Sequence, residues 1–125
     1  MTTTNKTTTV KTSDLTGATL DWAVAKCEGL HREDTVWAIW ASTHQYSTDW
    51  CQGGPIIERE GINVCIQHDE PGCKFSHELR WYAQLDHRCH TAYGTTPLVA
   101  AMRCYVASRL GDEVDIPTDL VNIND

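Results

Sequence analysis

Gly94-Thr95-Thr96-Pro97-Leu98-Val99-Ala100-Ala101-Met102-Arg103-Cys104-Tyr105-Val106-Ala107-Ser108-Arg109-Leu110-Gly111 is the stretch on which the fold turns. Thr96 suits an N-cap, Pro97 has the fixed φ wanted at the first helical position, and Gly111 supplies a stop. These signals predict a helix from Pro97 to Leu110. Leu98, Ala101, Met102 and Tyr105 recur at helical spacing, with Val106 and Leu110 widening the stripe, so one face should lie on a core.

Working outward, a second helix is predicted between Ser13 and Gly29. Thr12 or Ser13 can cap it, Asp14 complements the helix dipole, and Gly29 suits the left-handed position after the last turn. Leu20, Ala23, Val24 and Cys27 form its apolar face. Val36 to Ala41 reads as a strand rich in β-branched and aromatic residues. The loop Tyr46-Ser47-Thr48-Asp49-Trp50 leads to Gly53-Gly54-Pro55, read as the start of a short helix over Ile56 to Gly61 with Pro55 at its first position. Ile62 to Ile66 alternates as a strand, His68 to Glu78 is a polar connector, and Leu79 to Leu85 returns antiparallel. Thr7 to Thr12 could add an edge strand, and Val114 to Ile116 a short one. The expected class is α+β, a small antiparallel sheet packed with two main helices and one short helix.

A chain of 125 residues is sized for one hydrophobic core. The expected division is a threonine-rich arm over 1–12, a single domain over 13–117 and an acidic tail over 118–125. No signal-like apolar segment and no run of about 18 apolar residues occurs, so neither export nor membrane insertion is expected, and six cysteines read as thiols. Ten Lys and Arg against seventeen Asp and Glu give a net charge of −7, which opposes duplex DNA as a partner. A small anion in a pocket needs only local donors and stays compatible with that charge.

Val10-Lys11-Thr12-Ser13-Asp14-Leu15-Thr16-Gly17, Leu20-Asp21-Trp22-Ala23-Val24-Ala25, Tyr46 to Trp50, Gly53-Gly54-Pro55-Ile56-Ile57-Glu58-Arg59-Glu60 and Thr96 to Arg103 together resemble the NinX family of lambdoid phages. The resemblance runs from about Val10 to Pro117, and Thr48 to Glu60, with Asp49, Trp50, Gly53 and Pro55, is its most specific part. More diffusely, the chain is similar to a small phage domain described as an α-β-α sandwich, which implies helices on both faces of the sheet. The resemblance implies a phage accessory protein in the cytoplasm of the infected bacterial host and carries no assigned catalytic residues. The threonine-rich start and the Cys/His-rich connector from Cys65 to His90 depart from the family pattern.

The two glycine-led helix starts are the candidate anion cradles, because a helix N-terminus presents unpaired N–H groups and partial positive charge. Thr95, Thr96 and Arg103 could add donors at the second, and Gly53 and Gly54 would admit a ligand close to the backbone at the first. The same steps are also ordinary helix-starting devices. Trp50 is the expected exposed ring, while Trp22 and Trp37 are expected in the core; an exposed ring beside a phosphate cradle would suit a nucleotide, since base stacking is worth roughly 1–3 kcal/mol. Asp49 could bond a ribose hydroxyl or cap the following segment.

Cys65, His68, Cys73 and His77 have zinc-like spacing with His87, Cys89 and His90 nearby, but not a standard finger pattern, and no metal is assigned. Cys51 or Cys89 with a histidine could form a nucleophilic pair, though no catalytic signature surrounds either, so no enzyme activity and no cofactor are expected. The resulting expectation is a non-enzymatic binding protein holding a small anionic ligand, a nucleotide-type host-defence signal, through Tyr46, Ser47, Thr48, Asp49, Trp50, Gly53, Gly54, Thr95, Thr96 and Arg103. The alternative is a protein-interaction module acting on phage recombination, replication or a host enzyme. The threonine-rich arm could also pair across a homodimer.

Overall fold

A computed structural model describes residues 7–29, 40, 43–66, 80–85 and 90–124. In chain order these form β1 (Thr7–Lys11), a 3-10 turn (Thr12–Asp14), α1 (Gly17–Cys27), α2 (Trp50–Glu60), β2 (Ile62–Ile66), β3 (Trp81–Leu85), β4 (His90–Gly94), α3 (Pro97–Leu110), β5 (Glu113–Pro117) and α4 (Thr118–Asn124). The fold is α+β, with two antiparallel sheets among the described residues: β1 with β5, and β2-β3-β4.

Helix α3 is the centre of the molecule. It packs against all three strands of the larger sheet and, on its other sides, against α1 and α2. That position buries Leu98 and every residue from Ala100 to Val106, well beyond the single face read from periodicity. The small side chains of Ala100, Ala101 and Cys104 permit close layers on both sides. The cap is as expected: Thr96 Oγ1 accepts from the Val99 N–H at 3.1 Å, with Pro97 following.

The first helix begins later than the sequence suggests. Its N-cap is Thr16, which shares a capping box with Thr19, rather than Ser13 or Thr12. Thr12 is instead buried, its hydroxyl donating to Gly111 O at 2.6 Å and its N–H to Asp112 O at 2.8 Å, which pins the chain before α1 to the chain after α3. Trp22 lies in the core as expected. The strand expected over 36–41 falls outside the described residues except for Trp40, which is helical and buried. Trp37 and the connector from His68 to Glu78 lie outside them as well.

The larger correction concerns α2. It begins at Trp50, capped by Asp49, so Gly53, Gly54 and Pro55 lie inside the helix and do not start it. Asp49 Oδ1 accepts from Cys51 N–H at 2.9 Å, and its carbonyl accepts the first helical bond from Gly53 N–H at 2.9 Å. A carboxylate cap satisfies an orphan donor outright, whereas proline only removes one, so the cap six residues upstream sets the boundary.

Strand β4, absent from the sequence-based expectation, pairs with β3. Two in-line rows cross the sheet toward α3: Val64, Ala83 and Ala92, then Ile66, Trp81 and Gly94. The opposite face carries Asn63, Gln84 and Thr91 in one row and Cys65, Tyr82 and Tyr93 in the next, all but Tyr82 exposed. The exposure of those five side chains leaves that face of the sheet open to solvent. At the other end of the fold, the threonine-rich strand pairs within the chain, Thr7 opposite Pro117 through Lys11 opposite Glu113. Strand β5 buries Val114 and Ile116, and α4 adds Leu120 to the same core.

Candidate functional site

A cavity of about 370 Å³ opens between the end of β1, the 3-10 turn, β4 and the start of β5. Lys11, Thr12, Ser13, Thr91, Tyr93, Arg103, Asp112 and Glu113 line it, with Ala92 and Ala107 completing the wall. The Thr12 bonds to Gly111 and Asp112 hold its rim together. Its volume falls within the usual range for small-ligand sites.

Arg103 supplies the buried charge of this cavity. Its side chain leaves α3 and is only 8% exposed, with Nε donating to Leu15 O at 2.9 Å and Nη1 donating to Tyr93 O at 2.7 Å. Two carbonyls fix the plane of the guanidinium but do not neutralise it. Among the described residues no carboxylate forms an ion pair with Arg103. Burial pulls its pKa below the ordinary arginine value, and the field of Asp14 acts the other way. A buried cation held by neutral dipoles gains from an anion brought to it.

Of the ten residues expected to hold a ligand, Arg103 alone lines this cavity. Thr96 caps α3, and Thr95 is exposed in the bend before it. Asp49 caps α2 and also accepts from Gln52 Nε2 at 3.2 Å. Trp50 is exposed, at 55%, as expected, although it opens a helix. Thr48 is exposed in the turn before that cap, and Tyr46 is half-buried beside it.

Gly53 and Gly94 do have close neighbours, and α3 supplies one at each position, joined at Gly53 by the Tyr46 carbonyl. A Cβ on Gly53 would lie 2.3 Å from Tyr46 O and 2.6 Å from Leu98 Cδ1, and one on Gly94 would lie 2.7 Å from Ala100 N. Both are packing glycines against the central helix. Gly54 has open space, with only the Trp50 ring at 3.8 Å.

Ser47 is buried and turns inward. Its N–H donates to Asp21 Oδ1 at 2.8 Å, tying the turn before α2 to the middle of α1. Asp21 is 3% exposed, and desolvation raises its pKa to about 6 against the pull of Ser47 and of His44. The Ser47 hydroxyl contributes to that pull by proximity, while among the described residues its oxygen has no partner at hydrogen-bond geometry. This pair is a second buried polar cluster.

Lys11, Ser13 and Tyr93 were missed as site residues. The alternation of Thr91 and Tyr93 against Ala92 and Gly94 is the signal that could have exposed β4 and hence Tyr93. Among the described residues no group of three or more metal-ligating side chains converges. The Cys65 to His90 cluster lies largely outside them, and Cys65 itself is exposed on the open sheet face.

A family model described as Bacteriophage P22, NinX matches residues 11–109. The chain therefore belongs to the NinX family of bacteriophage proteins, which makes it a phage accessory protein. No curated protein matches it. The matched span includes the cationic wall of the cavity, Lys11 and Arg103, whereas the acidic rim, Asp112 and Glu113, follows it. No described helix is long and apolar enough to cross a membrane.

Proposed function

We propose that this chain is a non-enzymatic phage protein that captures a small phosphate-bearing ligand, a nucleotide-type host-defence signal, in the cytoplasm of the infected host. The observation that carries this function is Arg103, a buried guanidinium without a carboxylate partner among the described residues, at the wall of a 370 Å³ cavity. Lys11 and the Ser13 hydroxyl stand on the same wall and would supply further donors to a phosphate. The acidic rim and the net charge of −7 favour a small ligand over a polyanion.

Isothermal titration of the full chain against pyrophosphate, cyclic nucleotides and ADP-ribose derivatives tests the function. Binding that weakens roughly tenfold in Lys11→Ala, and with rising salt, is expected from loss of one charge-assisted contact. The absence of heat with every member of the panel would count decisively against it.

Exposed Trp50 beside exposed Cys51 on the first turn of α2 favours a second role, contact with a host or phage protein. Capture of one stoichiometric partner from infected cells, lost in Trp50→Ala, is the outcome that role requires.

A further inference from the structure

The open face of the three-stranded sheet has an order that packing does not explain. Register places Cys65, Tyr82 and Tyr93 side by side across β2, β3 and β4, and Asn63, Gln84 and Thr91 in the adjoining row. The Tyr82 and Tyr93 rings lie 6.5 Å apart, tilted by 47°, and Tyr93 is 43% exposed. Gln84 Nε2 donates to Thr91 Oγ1 at 3.2 Å, which holds an amide beside the aromatic row. Thr91 and Tyr93 also line the cavity that contains Arg103, so the face adjoins the cavity along β4.

An exposed aromatic ring backed by a second, half-buried one and flanked by hydrogen-bonding side chains is the surface that a flat heterocycle recognises, the ring by stacking and the adjoining row through its polar edge. We infer that this face is a nucleobase-reading surface: the base of a free nucleotide lies on Tyr93 with Tyr82 at its edge, its polar edge toward Gln84 and Asn63, and its phosphate enters the cavity beside Lys11 and Arg103. The inference rests on the anion-binding function proposed above and adds the residues that set its specificity. A strand of nucleic acid could offer the same base and phosphate, but each further phosphate would meet a chain of net charge −7.

The test titrates the full chain with the four ribonucleoside monophosphates, ribose 5-phosphate and a 5′-phosphorylated tetranucleotide. At least one monophosphate should bind about tenfold more tightly than ribose 5-phosphate, as expected for one stacked base. In Tyr93→Leu that ratio should fall toward one, and in Tyr93→Phe it should persist. Equal binding of the monophosphates and ribose 5-phosphate would overturn the base-reading surface and leave the anion cavity standing. No binding of either would overturn both. A tetranucleotide bound more tightly than every monophosphate would overturn the free nucleotide as the occupant.

Discussion

Asp21 shows what one buried carboxylate does to the stability of this fold. Its pKa is raised from 3.8 to about 6 in the folded state, chiefly by desolvation. Between those values the folded chain holds a proton that the unfolded chain has released, so this contribution to stability falls as pH rises through the window and is flat above it. The cost is at most about 3 kcal/mol for a shift of this size. Glu28 and Glu60 act with the opposite sign, since hydrogen bonds from Arg59 and Arg109 respectively lower their pKa values, and their contributions are lost on acidification. The difference between parent and Asp21→Asn isolates Asp21, because Asn keeps an acceptor for the Ser47 N–H. Thermal melts should show the Asn variant gaining on the parent from pH 4 to about pH 6 and then holding a constant lead. A lead independent of pH would mean that Asp21 titrates normally.

At the scale of elements, α2 is held from both ends. Asp49 caps its start, and Arg59 near its end donates to both oxygens of Glu28 on the turn after α1, at 2.9 and 2.8 Å. Tyr105 of α3 donates to the same carboxylate at 2.5 Å, and Arg109 of α3 donates to Glu60 of α2 at 2.8 Å. The exposed ion pairs contribute little singly; the glycine contact with α3 matters more. Gly53→Ala should destabilise by about 2 kcal/mol or more, because the new methyl meets backbone Tyr46 O as well as Leu98. Gly54→Ala, one residue on and in open space, should stabilise by about 0.5–1 kcal/mol through helix propensity. Urea unfolding of the pair reads both; equal effects would place the two glycines in the same environment and contradict the packing.

For the whole molecule, the family span and the folding unit differ. Residues 11–109 match the family, yet β5 and α4 bury Val114, Ile116 and Leu120 in the core. Deleting large buried side chains costs about 2–5 kcal/mol each, against a total stability of about 5–15 kcal/mol for a domain. A chain cut to residues 11–109 should therefore show no cooperative thermal transition by circular dichroism, while the full chain melts cooperatively. A cooperative melt of the cut chain would show that the closing strand and last helix are dispensable.

Much of this architecture is written locally. Thr96-Pro97 with Gly111, and Gly29 after α1, bound their helices because capping and periodicity act within a few residues, and the alternation of Ile62 to Ile66 marks β2 for the same reason. The start of α2 was ambiguous in sequence because Asp49 and Pro55 are both legitimate signals, and only the completed hydrogen bonds from Cys51 and Gly53 select between them. The roles of Gly53 and Gly94 were invisible for a different reason. A missing side chain looks the same whether a ligand or a neighbouring helix occupies its space, and here Leu98 and Ala100 occupy it. The cavity joins Lys11, Tyr93, Arg103 and Glu113 from four separate parts of the chain, and the burial of the Arg103 charge on two carbonyls, those of Leu15 and Tyr93, exists only once β4 and the 3-10 turn close around it. Sequence alone determined the α+β class and two principal helices; tertiary structure decided which charge is buried and where a ligand could reach it, because desolvation is a property of the packed chain.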